Sequence, residues 1–259
     1  MSTLHVEATG HGPPLVLLHG WAMHAGIWGP LVPRLARRHR VYAVDLPGHG
    51  RSAELPRFTL DAVVATLAAR FADTAQPVSL LGWSLGGQLA IRWALSEPQR
   101  VGRVALVCTT PRFVAAADWP HAASEQTIAR FGDELRVAWT MTVRRFLSLQ
   151  MHGAEHARAT LAALREELFA RGEPSRRALA EALEAIVTND LREAAGGVAQ
   201  PALVVSGSRD TLAWPEAGRW LASRLPQGRF VPIDGAAHLP FLSHADRFDE
   251  AIEGFLDGR

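Results

Sequence analysis

Gly82-Trp83-Ser84-Leu85-Gly86 sets a serine between two glycines, directly after the apolar run Pro77-Val78-Ser79-Leu80-Leu81. A strand that turns sharply into a helix forces its turn residue into a strained backbone conformation, and small flanking residues relieve the crowding. The side chain at the corner then stands clear of the sheet, as a nucleophile must. Downstream, Leu85-Gly86-Gly87-Gln88-Leu89-Ala90-Ile91-Arg92-Trp93-Ala94-Leu95 spaces its apolar residues as a helix does. The stretch predicts strand, tight turn and helix with Ser84 at the corner. In a chain with 22 glycines such a pattern also fits a structural serine. The strand-turn-helix context favours the nucleophile.

Short apolar runs recur on both sides, at 15–18, 41–44, 78–81, 104–107, 202–205 and 230–233. Helix-like stretches separate most of them, at 28–38, 60–71, 85–96, 217–224 and 245–256. Continuous apolar strands alternating with helices predict an α/β fold, with a mostly parallel central sheet and helices on both faces. Functional residues in such a fold sit on loops at the carboxyl ends of the strands. The alternation stops after Pro111 and resumes at Pro201. Between them run helical patterns at 135–149, 157–169 and 177–187, punctuated by Gly132, Gly153, Gly172 and Pro174. The expected division is a core of residues 1–111 and 191–259 and an α-helical lid of residues 112–190.

The 259 residues suffice for one large domain with an insertion, and a hydrophobic fraction of 48% supports a sizeable core. A net charge of +1 argues against a nucleic-acid partner. All 27 basic residues are arginines, scattered among 26 acids, so no basic tract stands out. Cys108, the single cysteine, lies in the apolar run Val104-Ala105-Leu106-Val107 and allows no internal disulfide, which suits a reducing compartment. No run approaches the roughly 18 apolar residues of a membrane span, and Met1-Ser2-Thr3-Leu4-His5-Val6-Glu7 lacks the basic and apolar regions of a leader. A cytoplasmic protein without membrane contact is the expectation.

A serine hydroxyl needs a base to take its proton, and that base needs an acid to orient it. Among 11 histidines, His238 follows the run 230–233 in Asp234-Gly235-Ala236-Ala237-His238-Leu239-Pro240, a loop at a carboxyl strand end. His244 falls at the start of the last helix, where a surface or capping role fits better. For the acid, Val204-Val205-Ser206-Gly207-Ser208-Arg209-Asp210 runs a strand into a glycine turn that delivers Asp210. Asp234 is a rival but shares the histidine's own loop, and Asp210 could instead serve as a cap or turn former. The chain order Ser84, Asp210, His238 matches the order serine, acid, histidine known from one hydrolase fold and from neither chymotrypsin nor subtilisin.

The oxyanion of a tetrahedral intermediate needs hydrogen-bond donors. One is expected from the backbone N–H of Leu85, next after the nucleophile. The other is expected from Trp21, in the loop His19-Gly20-Trp21 after the first core strand, whose indole is free to line an acyl pocket. His19 reads as a residue that holds this loop by hydrogen bonds, and Asp45-Leu46-Pro47-Gly48-His49-Gly50-Arg51-Ser52 as a structural turn.

His19-Gly20-Trp21, Asp45 to Ser52 as quoted, Gly82-Trp83-Ser84-Leu85-Gly86-Gly87, Gly207-Ser208-Arg209-Asp210 and Ala236-Ala237-His238 together resemble the α/β-hydrolase superfamily over essentially the whole chain. Pairing His-Gly-Trp with Gly-Trp-Ser-Leu-Gly-Gly resembles, within it, the pimeloyl-[acyl-carrier protein] methyl ester esterase family of biotin synthesis. Arg145-Phe146-Leu147-Ser148-Leu149-Gln150 is similar to that family's lid helix, and Asp118-Trp119-Pro120 and the segment from Ala237 to His244 have close counterparts. The resemblance implies an α/β-hydrolase fold with its lid inserted after the sixth strand, and a carboxylesterase using Ser84, Asp210 and His238. It implies substrate contacts from Trp21, Ser84, Leu85, Phe146, Leu147, Ser148, Leu149, Gln150 and His238. It also implies a transient partner, an acidic acyl carrier protein, met by Arg145 and Arg158, with Arg144 beside them. Met141 and Ala162 stand where further arginines are expected, so the carrier contact is arranged differently here. No metal or organic cofactor is implied, and a monomer is expected. A generalist short-chain carboxylesterase would share every catalytic residue, and a non-catalytic ligand receptor on the same fold is the remote alternative.

Overall fold

The computed structural model describes residues 4–155, 157–167 and 170–258, and of residues 158, 159 and 163 the backbone alone. Seven strands form one sheet: β1 (Val6–Thr9), β2 (Pro14–Leu18), β3 (Arg40–Val44), β4 (Val78–Trp83), β5 (Val101–Val107), β6 (Ala202–Gly207) and β7 (Gly228–Ile233). Their order across the sheet is β1-β3-β2-β4-β5-β6-β7. Only β1 runs antiparallel, pairing Val6 with Val44; every other pair is parallel. β2 and β6 are buried along their whole length, as parallel strands covered on both faces must be. All six expected runs are strands, extended by one to three residues. β1 was absent from that reading. It is a half-exposed edge strand whose four residues, Val-Glu-Ala-Thr, carry neither an apolar run nor a strict alternation.

The helices are α1 (Val32–Leu35), α2 (Leu60–Arg70), α3 (Leu85–Ser96), α4 (Glu125–Gln150), α5 (Ala157–Glu167), α6 (Arg176–Thr188), α7 (Pro215–Arg224), α8 (Pro240–Ser243) and α9 (Ala245–Leu256). Thr59 opens α2 by accepting from the N–H of Ala62, and Ser175 opens α6 by accepting from Ala178. The helix expected at 28–38 is instead a 3-10 turn at Ala25–Trp28 and the one-turn α1. Pro30 and Pro33 explain this, because proline removes a helical donor and restricts the residue before it.

Residues 112–190 leave the sheet from β5 and return before β6, so the insertion follows the fifth strand and not the sixth. Among the described residues only β1 precedes the first buried parallel strand, one fewer than a sixth-strand insertion requires. Two isolated bridges, Val114 with Ala123 and Ala116 with Trp119, close a strap ahead of α4. α4 runs on through Gly132 and breaks its helical geometry at Ala138 (φ −140°, ψ 54°). The insertion packs onto the main core through Leu135, Val143, Leu147, Leu164, Leu179 and Ile186, all buried. So seated, the insertion sets residues of α4 and α6 beside Ser84 and His238, which follow β4 and β7.

Candidate active site

Ser84 occupies a conformation that side chains rarely adopt, φ 56° and ψ −116°. Such a residue carries about 1–3 kcal/mol of strain and persists only where its surroundings hold it. Four hydrogen bonds do so: Ser84 N–H donates to Val107 O (2.9 Å), and Gly87 N–H (2.9 Å), Gln88 N–H (3.3 Å) and the Thr109 hydroxyl (2.7 Å) donate to Ser84 O. The glycines matter for proximity. A methyl group at Gly82 would run into the carbonyl oxygen of Gly86, and one at Gly86 into that of Leu18. The elbow therefore needs both positions bare. Leu85 is the first residue of α3, so its N–H is among those with no partner inside the helix.

Asp210 and His238 meet beside this corner. His238 Nδ1 lies 2.8 Å from Asp210 Oδ2, and both side chains are almost fully buried. Asp210 Oδ1 accepts from the N–H groups of Leu212 (2.9 Å) and Ala213 (3.0 Å), so the acid is also the turn former of its own loop. Asp210 Oδ2 faces Nδ1, so the hydrogen that His238 shares with it sits on Nδ1 and Nε2 is left as the acceptor nitrogen. The histidine loop is clamped through its backbone: His238 N–H donates to Gln150 O (3.1 Å) and Trp83 Nε1 donates to His238 O (2.8 Å). The last residue of α4 and the residue before the serine thus hold one loop in register. Asp234 accepts from the Ser208 hydroxyl instead (3.0 Å), and His244 precedes α9 with its Nδ1 2.9 Å from Ser243 Oγ.

Ser84 and His238 both line a cavity of about 140 Å³, roofed by the lid. Trp21, Phe113, Ile128, Phe131, Phe146, Leu149, Leu183, Ile186, Val187 and Leu212 make its wall apolar, and Thr127 and Thr211 add hydroxyls. An apolar chamber with few polar groups at one end suits an acyl chain. Trp21 packs edge-on against Phe131 and Phe146, and its indole Nε1 donates to Leu179 O in α6 (2.9 Å). The indole expected to line a pocket is at the cavity wall and also ties the loop after β2 to α6. Nothing in the sequence marks Ile128, Phe131, Leu183, Ile186 and Val187 as cavity residues. They come from two helices, and only the tertiary packing tells which of each helix's apolar residues face the cavity.

Of the segment expected at the substrate, Phe146 and Leu149 line the cavity. Leu147 is buried in the main core, Ser148 faces an outer groove, and Gln150 is buried with its carbonyl on His238. That outer groove also holds Asp133, Glu134, Met141, Arg144, Arg145 and Arg165. Arg145 is ion-paired with Glu134. The side chain of Arg158 lies outside the described residues. Val137 and Met141 are strongly exposed there, giving the groove an apolar wall.

In the loop after β2, His19 Nδ1 donates to Gly20 O (2.8 Å) and Nε2 accepts from Leu46 N–H (2.9 Å), which ties two loops together. Complete burial pushes the His19 imidazole well below its usual range. Burial lowers His49, at 5.4 Å between ring centres, to about 4. Asp45 accepts from Ala25 N–H (2.6 Å) and Arg51 N–H (3.0 Å), which fixes the turn after β3. Burial and the Asp210 carboxylate push the Cys108 thiol well up.

The chain belongs to the alpha/beta hydrolase fold family, which matches residues 13–245. It is 45% identical over 254 residues to the pimeloyl-[acyl-carrier protein] methyl ester esterase of Chromobacterium violaceum, covering 98% of each chain. The protein of that name from Xanthomonas campestris pv. campestris is 44% identical over 256 residues, again 98% of each. Among solved structures, an esterase from Exiguobacterium antarcticum superposes with a TM-score of 0.92 at 19% identity, covering 99% of this chain and 96% of that one, a likeness of fold. At that level of likeness to its curated relatives, the chain shares their family of carboxylic ester hydrolases.

Proposed function

We propose that this chain removes the methyl group from pimeloyl-[acyl-carrier protein] methyl ester, the substrate its relatives are named for, through an acyl-Ser84 intermediate. The observation that carries the chemistry is the Asp210–His238 contact at 2.8 Å, set at the wall of an apolar cavity that Ser84 shares. His238 Nε2 takes the Ser84 proton as Oγ attacks the ester carbonyl, and the oxyanion forms against the N–H groups of Leu85 and Trp21. The tetrahedral intermediate collapses with loss of methanol, which leaves with the proton held by His238. Water, deprotonated by the same nitrogen, attacks the acyl-Ser84 ester, and the free carboxylate departs as Ser84 recovers its proton. Asp210 stabilises the imidazolium in both halves. The acyl chain lies along Trp21, Phe146 and Leu149, while its far end, still on the carrier, leaves the cavity.

Arg144 and Arg145, with Arg158 on α5, supply the positive side of the carrier contact, and exposed Met141 takes the place of a further charge. Arg145 must give up Glu134 to meet an acidic carrier, so the contact is weaker than four free arginines would make it. The same reading makes the enzyme a monomer that meets its carrier transiently in the cytoplasm, where a free, buried Cys108 stays reduced.

Two measurements test the proposal. Hydrolysis of pimeloyl methyl ester on an acyl carrier protein is compared with the same ester free; a kcat/KM at least tenfold higher on the carrier is expected, and no activity on the carrier-linked form overturns the substrate. Ser84→Ala is expected to abolish turnover and labelling by a fluorophosphonate. Retention of either overturns the nucleophile. Preference for short soluble esters over the carrier-linked one would make this a generalist esterase.

A further inference from the structure

Cys108 follows Val107, the last residue of β5, in the left-handed region at φ 44°, with its N–H on Val205 O (2.8 Å). That conformation turns its side chain toward the acid and base rather than into the sheet. Cys108 Sγ, a carboxylate oxygen of Asp210 and a ring nitrogen of His238 all lie within 4.8 Å of one another, and all three residues are buried. The ester hydrolysis above uses the acid and the base and has no task for the thiol.

We propose that Cys108, Asp210 and His238 form a binding site for a thiophilic divalent cation, zinc above all, whose occupancy switches the esterase off. Zinc takes sulfur, imidazole nitrogen and carboxylate oxygen in a tetrahedron, with bonds of about 2.0–2.3 Å that set neighbouring ligand atoms roughly 3.3–3.7 Å apart. The Nδ1–Oδ2 pair at 2.8 Å must open slightly and the sulfur close in, changes of about 1 Å that a side-chain rotation supplies. Charge favours the exchange: a thiolate and a carboxylate together neutralise the dication, so a buried site holds no net charge. The surrounding bonds suit a ligand set, because Asp210 Oδ1 stays on the N–H groups of Leu212 and Ala213 while Oδ2 turns to the ion. Ala237 O, 3.7 Å from the sulfur, or a water supplies the fourth position. Entry runs through the cavity, whose wall includes His238 and the Thr211 next to Asp210.

Binding has a defined proton balance. The Sγ–H bond of Cys108 breaks, its proton leaves to solvent, and an S–Zn bond forms. His238 gives up the hydrogen on Nδ1 to bind the ion and takes one on Nε2, remaining neutral. Nothing is oxidised or reduced, and one proton is released per ion. The nitrogen that should accept the Ser84 proton now carries a hydrogen itself. The ion thus inverts the tautomer on which the reaction depends, and inhibition follows without any contact with substrate.

The inference rests on His238 acting as the base, so binding and inhibition are read separately. Protein freed of metal by chelation is titrated with Co²⁺ as a spectroscopic probe and with ZnCl₂ against hydrolysis of a soluble aryl ester. One equivalent of Co²⁺ per chain is expected to give a thiolate-to-cobalt charge-transfer band, in the wild type and in Ser84→Ala alike. Half-inhibiting zinc is expected to rise at least tenfold in Cys108→Ser and in Cys108→Ala, each measured against its own metal-free rate and checked for fold by circular dichroism. No charge-transfer band, or zinc inhibition equal in all three proteins, overturns the site. A band without loss of esterase activity overturns the switch. An active Ser84→Ala would instead indict the nucleophile and leave the binding result standing.

Discussion

At the scale of single residues, one substitution has opposite outcomes in different places because the space around the new methyl group decides the sign. Gly86→Ala drives a carbon into the backbone oxygen of Leu18, which cannot yield without separating α3 from β2. Gly132, inside α4, faces nothing within 4 Å. Urea unfolding is expected to show Gly132→Ala more stable by up to about 1 kcal/mol. Gly86→Ala is expected to lose more than about 3 kcal/mol or to fail to fold; equal midpoints would refute the crowding argument. Asp210→Asn tests orientation rather than space. With Leu212 and Ala213 still donating to the amide oxygen, the new NH₂ points at His238 and forces Nδ1 to accept. Nε2 then carries the hydrogen, and kcat is expected to fall about 10⁴-fold with KM little changed, as in serine proteases with this substitution. A fall below tenfold would mean that Asp210 does not set the tautomer.

At the scale of elements, the insertion is fastened to the core at several points, two of which differ in character. Gln150 and Trp21 fasten its inner face, through His238 N–H and Leu179 O. Beyond α5, Arg171 reaches β1 with paired bonds to Glu7 at 2.7 and 2.9 Å, and Glu167 O accepts from the His24 ring at 2.8 Å. The Arg171 guanidinium holds the Glu7 carboxyl below its usual range. Glu7→Gln removes that charge at a half-exposed site, so global stability is expected to fall by less than about 1 kcal/mol. Hydrogen exchange should quicken across Ala157–Glu167 and stay unchanged in Leu85–Ser96; equal protection in both forms would show that the outer fastening carries no weight. Elements of this kind were legible in the sequence to differing degrees. The buried strands were readable because a parallel strand with both faces covered must be apolar throughout, and Ser84 and Asp210 because each follows such a strand; His238 follows β7, a partly exposed edge strand that only the short run at 230–233 marks. β1 was not readable, since an edge strand with Glu7 and Thr9 turned outward has no such obligation. Nor was the lid's inner wall: α4 and α6 have apolar residues on faces toward the core and toward the cavity alike, and the sequence does not mark which is which. The lid's partners in the core, Glu7 and His24, are charged or polar residues whose spacing says nothing of a contact 143 or 164 residues away.

At the scale of the whole molecule, an alpha/beta sheet that delivers its reacting groups on buried loops also buries the histidines that brace those loops, and this makes the fold sensitive to acid. His19 and His49 sit together at the loop after β2, completely enclosed, and among the described residues neither has a carboxylate within hydrogen-bonding reach to welcome a proton. Burial, opposed only in part by the Pro47 carbonyl and the charge of Asp45, lowers His49 from 6.5 to about 4. In the unfolded chain the same imidazole binds a proton as pH falls through 6.5, whereas the folded protein refuses it until about 4. Between those values the unfolded state holds more protons, so stability falls as pH falls; above 6.5 neither state is protonated and His49 makes no difference. At pH 4.5 the difference from this one group amounts to about 2–3 kcal/mol, a large part of the margin of a typical domain. His49→Gln keeps a polar side chain in the turn but cannot titrate. Urea unfolding at pH 7.0 and 4.5 is expected to show the loss between the two shrinking by about 2 kcal/mol in His49→Gln relative to the wild type, whatever the substitution costs at pH 7. An identical loss in both proteins would mean that His49 is protonated in the folded state and that the loops beneath the oxyanion site admit water.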